Sequence, residues 1–178
     1  MQATRRRIAA SGLALALSGA VLVLGTGGSA HAATTCSQDY LPLPDPVCTP
    51  GALNPSVTQS TIGSTICVSG WTATVRPSSS YTTALKITQI AEYGYADTST
   101  ADYEEDHFIP LELGGAPKDP KNLWPEPHSA ASGGSSSGKD SVENKLKKAV
   151  CAGTVTLAQA RNAIATDWTT ALADLGLS

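Results

Sequence analysis

The chain has 178 residues, of which 41% are hydrophobic and 15% are charged, and its formal net charge at pH 7 is −3. Acidic residues (15) outnumber basic ones (12), which excludes a protein that coats nucleic acid with a broad basic surface but not one with a local basic groove. A chain of this size can bury the core of one ordinary domain.

Residues 1–32 have the organisation of a secretory signal peptide. Three arginines at 5–7 precede an apolar stretch over 8–24, and Ala-His-Ala at 30–32 has the small-residue pattern of a signal-peptidase site. The apolar stretch is short and rich in Gly and Ala, which argues against a membrane anchor. The arginines and the residues after them leave both Sec and twin-arginine export open. We therefore expect a secreted protein with no membrane attachment, whose 15 acidic and nine remaining basic residues give a formal charge of −6.

Four cysteines follow this leader, and an even number in an exported chain predicts two disulfides. Of the three possible pairings we expect Cys36–Cys48 and Cys67–Cys151, because the first two are close in sequence and the second pair would join the N-terminal part to a late helix. No C-x-x-C pair is present, which argues against a structural zinc ribbon. We expect residues 33–75 to form a disulfide-stapled region of loops and strands, and residues 76–178 the main domain.

The pattern after the second cysteine predicts strands and then a helix. Residues 65–77 alternate well enough for one or two short strands. Residues 81–93 predict a helix that Gly94 ends. The residues expected to face the core from this helix are Leu85, Ile87 and Ile90.

The second half of the chain predicts two extended segments followed by two helices. Residues 107–113 are strand-like and end at a Gly-Gly turn, and residues 122–127 form the second extended segment. A flexible low-complexity stretch over 128–138 leads to a helix over 139–151. The last helix is expected over 157–175, preceded by Thr156 and Gln159 in the spacing of a capping box.

The chemistry concentrates in the stretch YEEDHFIPLELGG, which begins at Tyr103. The adjacent carboxylates of Glu104, Glu105 and Asp106 repel one another unless solvent, a cation or a helix end relieves them. Asp106 is a hard oxygen ligand suited to Mg²⁺, and His107 can take a proton from water near neutral pH. Neighbouring strand residues point to opposite sides, so a shared site requires a bulge or kink.

The segments DHFIPLELGG and NLWPEP resemble the HNH endonuclease family, whose signature runs Asp-His-x-x-Pro-Leu, a Gly-Gly turn and Asn-Leu. A wider set of segments, over about residues 48–168, is similar to a group of small secreted bacterial HNH-type proteins. Those segments are VTQSTIGSTICVSGWTATVRP, YEEDHFIPLELGG, NLWPEP, KDSVENKL and VCAGTVTLAQARNAIATDW. The resemblance implies an α+β domain with an HNH-like ββα-metal core and flanking helices.

The resemblance also implies roles for three residues of this core. His107 matches the general base, Asp106 matches a metal ligand, and Asn122 matches the middle asparagine, which steadies the finger. The implied cofactor is a divalent ion, Mg²⁺ before Mn²⁺, Ca²⁺ or Zn²⁺.

The chain departs from the family at the third position, a His or Asn on the helix. The usual spacing falls at 129–134, which offers no ligand, and His128 lies too early. Asp140 and Glu143, three apart on one helix face, are the preferred substitutes, ahead of Asn144.

Other candidates have more ordinary explanations. Glu105 and Glu112 are expected at the surface or behind the site. Lys139 is expected at the surface, where a helix starts. The tryptophans are expected to pack in or beside the core: Trp71, Trp124 and Trp168. The cations that would contact phosphate if they converge are Arg76, Lys86, Lys118 and Lys121.

These observations predict a secreted, monomeric, metal-dependent endonuclease that acts on DNA before RNA. One alternative is a non-catalytic binding module on the same scaffold, which the incomplete ligand set favours. Another is a glycosidase using Glu105 and Glu112, which requires two carboxyl groups about 5–9 Å apart across a cleft.

Overall fold

The computed structural model describes residues 35–129 and 135–177. The predicted signal peptide and residues 130–134 of the predicted low-complexity stretch lie outside the described residues. The described residues all belong to one compact unit, Ala32–Ser178, so the two regions expected on either side of residue 76 lie in the same unit.

The described residues form an α+β fold, as predicted, with one antiparallel hairpin and five α-helices. The strands are β1 (Tyr103–His107) and β2 (Leu123–Pro127). The helices are α1 (Trp71–Val75), α2 (Ser79–Glu92), α3 (Ser136–Cys151), α4 (Leu157–Asp167) and α5 (Ala171–Asp174). Short 3-10 turns cover Ile62–Ser64, Thr100–Asp102, Leu111–Leu113 and Pro120–Asn122.

Two strand predictions are wrong. Residues 65–77 form turns and helix α1. Trp71 and Val75 are both half-buried and four residues apart, and this spacing fits one face of a helix as well as one face of a strand. Residues 107–113 form a strand only at their first residue. Pro110 has no N–H to extend the ladder, and the chain turns after it into Leu111–Leu113.

The first strand of the hairpin is therefore the acidic stretch itself, and it pairs with β2 in an unbroken register from Tyr103↔Pro127 to His107↔Leu123. Helix α2 supports it through side chains that bond to strand carbonyls. Gln89 Nε2 donates to Leu123 O at 2.8 Å, and Lys86 Nζ donates to Tyr103 O at 2.7 Å. On α2, Ile90 is buried as expected, but Ile87 is 58% exposed and does not face the core.

The core lies between the hairpin and the C-terminal helices. Among the described residues it contains Trp124, Leu146, Val150, Ile164 and Trp168. The predicted capping box at Thr156 and Gln159 is confirmed. The helix that follows it breaks after Asp167, whose carboxylate accepts hydrogen bonds from the N–H and hydroxyl of Thr169 and so competes with helical backbone bonds.

Both expected disulfides are present, Cys36–Cys48 and Cys67–Cys151. The second links cysteines that are 84 positions apart in the sequence and joins the turn before α1 to the end of α3. Disulfides of this kind are typical of proteins that fold in an oxidising compartment.

Asp45 organises the N-terminal loop and predicts a pH dependence of stability. Burial acts to raise the pKa of Asp45, but backbone N–H donors from Ser37, Val47 and Cys48 hold it below its usual 3.8. The bonds from Ser37 N and Val47 N are both 2.7 Å long. Because the folded-state pKa is lowered, the ionised carboxylate stabilises the fold above pH 3.8, and this contribution is lost as the pH falls through the folded value.

We expect Asp45→Asn to lower the free energy of unfolding by about 1–2 kcal/mol at pH 7, since the amide replaces one acceptor oxygen by a donor. Urea denaturation at pH 7 and pH 3 measures this, with the exposed Asp39→Asn as the matched control. The deficit should shrink at pH 3, and a deficit of the same size at both pH values would contradict the assignment.

Candidate active site

Two of the predicted metal ligands do come together, but they meet on a lysine. Lys139 Nζ lies 2.6 Å from Asp106 Oδ2 and 2.5 Å from Glu143 Oε1. It also donates to His107 O at 3.1 Å, so its three N–H groups have three acceptors. Lys139 is only 1% exposed. We call Asp106, Lys139 and Glu143 the lysine centre.

The prediction that Lys139 is a surface lysine is therefore wrong. Ser135 caps α3 by accepting a hydrogen bond from Gly138 N, and the helix begins three residues earlier than predicted. Lys139 and Glu143 are four apart and continue the stripe that Leu146 and Val150 bury in the core. That stripe was the signal in the sequence that could have identified Lys139 as buried.

Asp106 reaches the lysine centre from the hairpin. Its cross-strand neighbour Trp124 donates Nε1–H to Asp106 Oδ2 at 3.3 Å. Burial alone would lower the pKa of Lys139, but the charges of Asp106 and Glu143 raise it, so the ammonium stays protonated. Burial raises the pKa of Glu143, although Lys139 opposes that shift.

Glu126 adds a third buried carboxyl group beside the lysine centre. It is 2% exposed and lies opposite Glu104 in the hairpin. Its Oε2 has no hydrogen-bond partner among the described residues. Burial, reinforced by the charge of Asp106, raises the pKa of Glu126, so this carboxyl group is protonated near neutral pH.

His107 closes β1, and its side chain makes contacts different from those of Asp106. Its Nε2 lies 3.0 Å from Pro117 O, which can only accept, so Nε2 carries the proton and Nδ1 the lone pair of the neutral ring. Burial lowers the pKa of His107. The Pro117 carbonyl and Asp106 oppose this shift, and Arg76 and Lys139 add to it. The imidazole is thus neutral near pH 7 and chemically able to accept a proton at Nδ1.

Asn122 clamps the loop between the strands. Its Oδ1 accepts from Ile109 N at 2.9 Å, and its Nδ2 donates to Ile109 O at 3.0 Å and to Ala116 O at 3.1 Å. A Cβ at Gly115 would lie 1.7 Å from Ile109 O, so the clamp leaves room only for glycine there. Asn122 therefore holds in place the loop that carries the Pro117 carbonyl.

The remaining helix candidates lie outside the lysine centre. Asp140 and Asn144 are exposed, and Asn144 Nδ2 donates to the backbone carbonyl of Asp140. Glu112 is half-buried, and its negative charge acts to raise the pKa of Asp140 and of Glu143. His128 is exposed, and its Nδ1 lies 2.9 Å from Ser136 Oγ at the start of α3.

Glu105 lies near α2. Both of its carboxyl oxygens are buried without a hydrogen-bond partner among the described residues, and burial raises the pKa of Glu105 to about 8. Lys86 acts to lower this pKa, and it donates two of its three N–H groups to Thr100 O and Tyr103 O. Since Glu112 instead acts on the carboxylates of α3, the placement of the two glutamates offers no support for a glycosidase pair.

The other three cations predicted to contact phosphate are exposed. The side chain of Arg76 is exposed, and its positive charge acts to lower the pKa of His107 and of Asp140. Lys118 is also exposed and directly follows Pro117, and its carbonyl accepts a 2.6 Å hydrogen bond from Tyr81 Oη. Lys121 is exposed on the same loop.

The residues present do not fit a divalent ion as they are arranged. Carboxylates suit Mg²⁺ chemically, but the facing oxygens of Asp106 and Glu143 are already bound to an ammonium nitrogen at distances similar to those of metal ligands. Within residues 35–129 and 135–177, no group of three His, Cys, Asp or Glu side chains converges so as to hold a metal ion.

Comparisons with known proteins add no identification. No protein-family model matches the chain, and no curated protein or solved structure is detectably similar to it. Among the described residues, no helix has the length and apolar character needed to cross a membrane.

Proposed function

We propose that this protein is a secreted HNH-type endonuclease that hydrolyses phosphodiester bonds of DNA, with RNA as the second substrate. The observation that carries the proposal is the state of His107, a buried neutral imidazole whose Nδ1 is left as the base by the Nε2–Pro117 bond. The order hairpin then α3, with Asp106-His107 at the end of β1 and Asn122 on the loop, supports the HNH assignment. The two disulfides support export.

In the proposed reaction His107 Nδ1 takes a proton from water as the water oxygen attacks phosphorus. One phosphorus–oxygen bond breaks, the leaving oxygen takes up a proton from solvent, and the products are a phosphomonoester and a free hydroxyl. In this scheme Arg76, which is exposed and close enough to influence His107, binds the phosphate and offsets its charge.

The divalent ion that the HNH resemblance implies has no step in this scheme. If such an ion were bound, it would supply charge stabilisation at the phosphate and the leaving oxygen. The oxygens that would hold it, from Asp106 and Glu143, are engaged by Lys139.

The test is nicking of supercoiled plasmid by the secreted, oxidised protein, with Mg²⁺, with Mn²⁺ and with a chelator. Loss of a general base typically costs about 10²–10⁴-fold, so we expect His107→Ala to lower the cleavage rate at least about a hundredfold. The matched control is His128→Ala, an exposed histidine whose removal should leave the rate unchanged. Folded wild-type protein that cleaves neither DNA nor RNA under any of these conditions would refute the proposal.

A second candidate is a non-catalytic secreted module on the same scaffold. The observation that favours it is the engagement of Asp106 and Glu143 by Lys139, which stabilises the hairpin against α3 without contributing to hydrolysis. Folded wild-type protein that cleaves neither DNA nor RNA would favour this candidate, whereas cleavage that the His107 and His128 variants both retain would indicate a nuclease that does not use His107.

A further inference from the structure

We propose that the ammonium of Lys139 is the resident cation of this ββα unit, holding the position between the hairpin carboxylate and the helix carboxylate that a divalent ion would otherwise take. The native protein then binds no divalent ion at Asp106 and Glu143. This inference does not rest on the proposed nuclease activity, because it concerns only which cation the two carboxylates hold.

The geometry of Lys139 carries the inference. Its nitrogen lies 2.6 and 2.5 Å from one oxygen of each carboxylate, and Ca²⁺ lies about 2.3–2.6 Å from its oxygen ligands. An ion bound to the same two oxygens would therefore overlap the nitrogen. Lys139 belongs to α3, is 1% exposed and donates to His107 O at the end of β1, so its ammonium cannot move away without breaking a contact between the two elements.

The charges agree with this placement. The carboxylates of Asp106 and Glu143 are both buried, at 7% exposed each, and need a positive partner. The Nζ of Lys139 lies against one oxygen of each carboxylate and is that partner.

Lys139 is also a positioning residue for His107. Its third N–H donates to the backbone carbonyl of His107 and so fixes the strand end from which the imidazole projects. A metal ion bound only by the carboxylates would not make this bond. The ammonium therefore joins three features at one point: the acidic residue of β1, the carbonyl of the proposed base, and α3.

The probe is Tb³⁺, whose emission is sensitised by a nearby tryptophan, and Trp124 contacts Asp106 directly. We would titrate Tb³⁺ into wild-type protein and into Asp106→Asn, which retains the pair between Lys139 and Glu143. We expect the two titrations to coincide, because any Tb³⁺ then binds elsewhere. Wild-type emission that the Asp106 substitution abolishes would overturn the proposal, since an ion would then displace the lysine.

Lys139→Ala provides the second arm, because it vacates the cation position and leaves both carboxylates. We expect at least a tenfold gain in Tb³⁺ affinity, which adding Asp106→Asn should remove, whereas the exposed Lys148→Ala should bind like wild type. If Lys139→Ala folds only when Ca²⁺ or Tb³⁺ is added, the metal-dependent rise in Tm is the same supporting result. A folded Lys139→Ala protein that gains no affinity would overturn the proposal and leave an ordinary buried ion pair. None of these readouts requires nuclease activity.

Discussion

Lys139→Met should lower the free energy of unfolding by about 3–5 kcal/mol at pH 7, because removing one partner leaves buried carboxylates without compensation. Asp106 and Glu143 both lose their only cation among the described residues, and His107 O loses a donor. For a domain of this size the loss corresponds to a fall in Tm of roughly 10 °C. Urea denaturation of the oxidised protein measures it.

Two comparisons separate the charge effect from a general effect of mutating α3. Lys148→Met changes an exposed lysine on the same helix and should alter stability by less than about 0.5 kcal/mol. Adding Asp106→Asn and Glu143→Gln to Lys139→Met removes the unpaired charges and should recover most of the loss. A loss below about 1 kcal/mol for Lys139→Met alone would show that water compensates the two carboxylates.

Asn122→Ala should cost about 3–4 kcal/mol, because it leaves three buried backbone groups without partners at roughly 1 kcal/mol or more each. Those groups are Ile109 N, Ile109 O and Ala116 O, and Asn122 itself is fully buried. The loop that these bonds hold also carries the carbonyl that orients His107, so any cleavage activity should fall together with stability. Thermal denaturation and plasmid nicking on the same samples measure both.

Asn122→Asp tests which half of the amide matters. It keeps an acceptor for Ile109 N but turns a second oxygen toward the carbonyls of Ile109 and Ala116, so we expect it to be at least as damaging as alanine. The exposed Asn162→Ala on α4 is the matched control and should be nearly neutral. Wild-type stability in Asn122→Asp would mean that the two donor bonds contribute nothing.

Features that depend on neighbouring residues could be predicted from the sequence. Helix α2, the capping box of α4 and the extended segment of β2 follow from local periodicity and end signals. The disulfide pairing follows as well, because one pair is close in sequence and the other joins the N-terminal part to a late helix. The location of β1 did not follow, since an apolar run after His107 looked more strand-like than the acidic residues that form the strand.

For the candidate site, the sequence by itself determined which side chains are available and that Asp106, His107 and Asn122 stand near two strand ends. Only the tertiary structure decided what each one contacts. Lys139 and Asp106 are separated by 33 positions in the chain, and a lysine is ordinarily exposed unless it is paired. The stripe that it shares with Leu146 and Val150 on α3 indicates burial, but Asp106 comes from another element, and no local pattern encodes that meeting. Whether an acidic stretch holds a metal ion, solvent or a lysine is decided by what folding brings to face it.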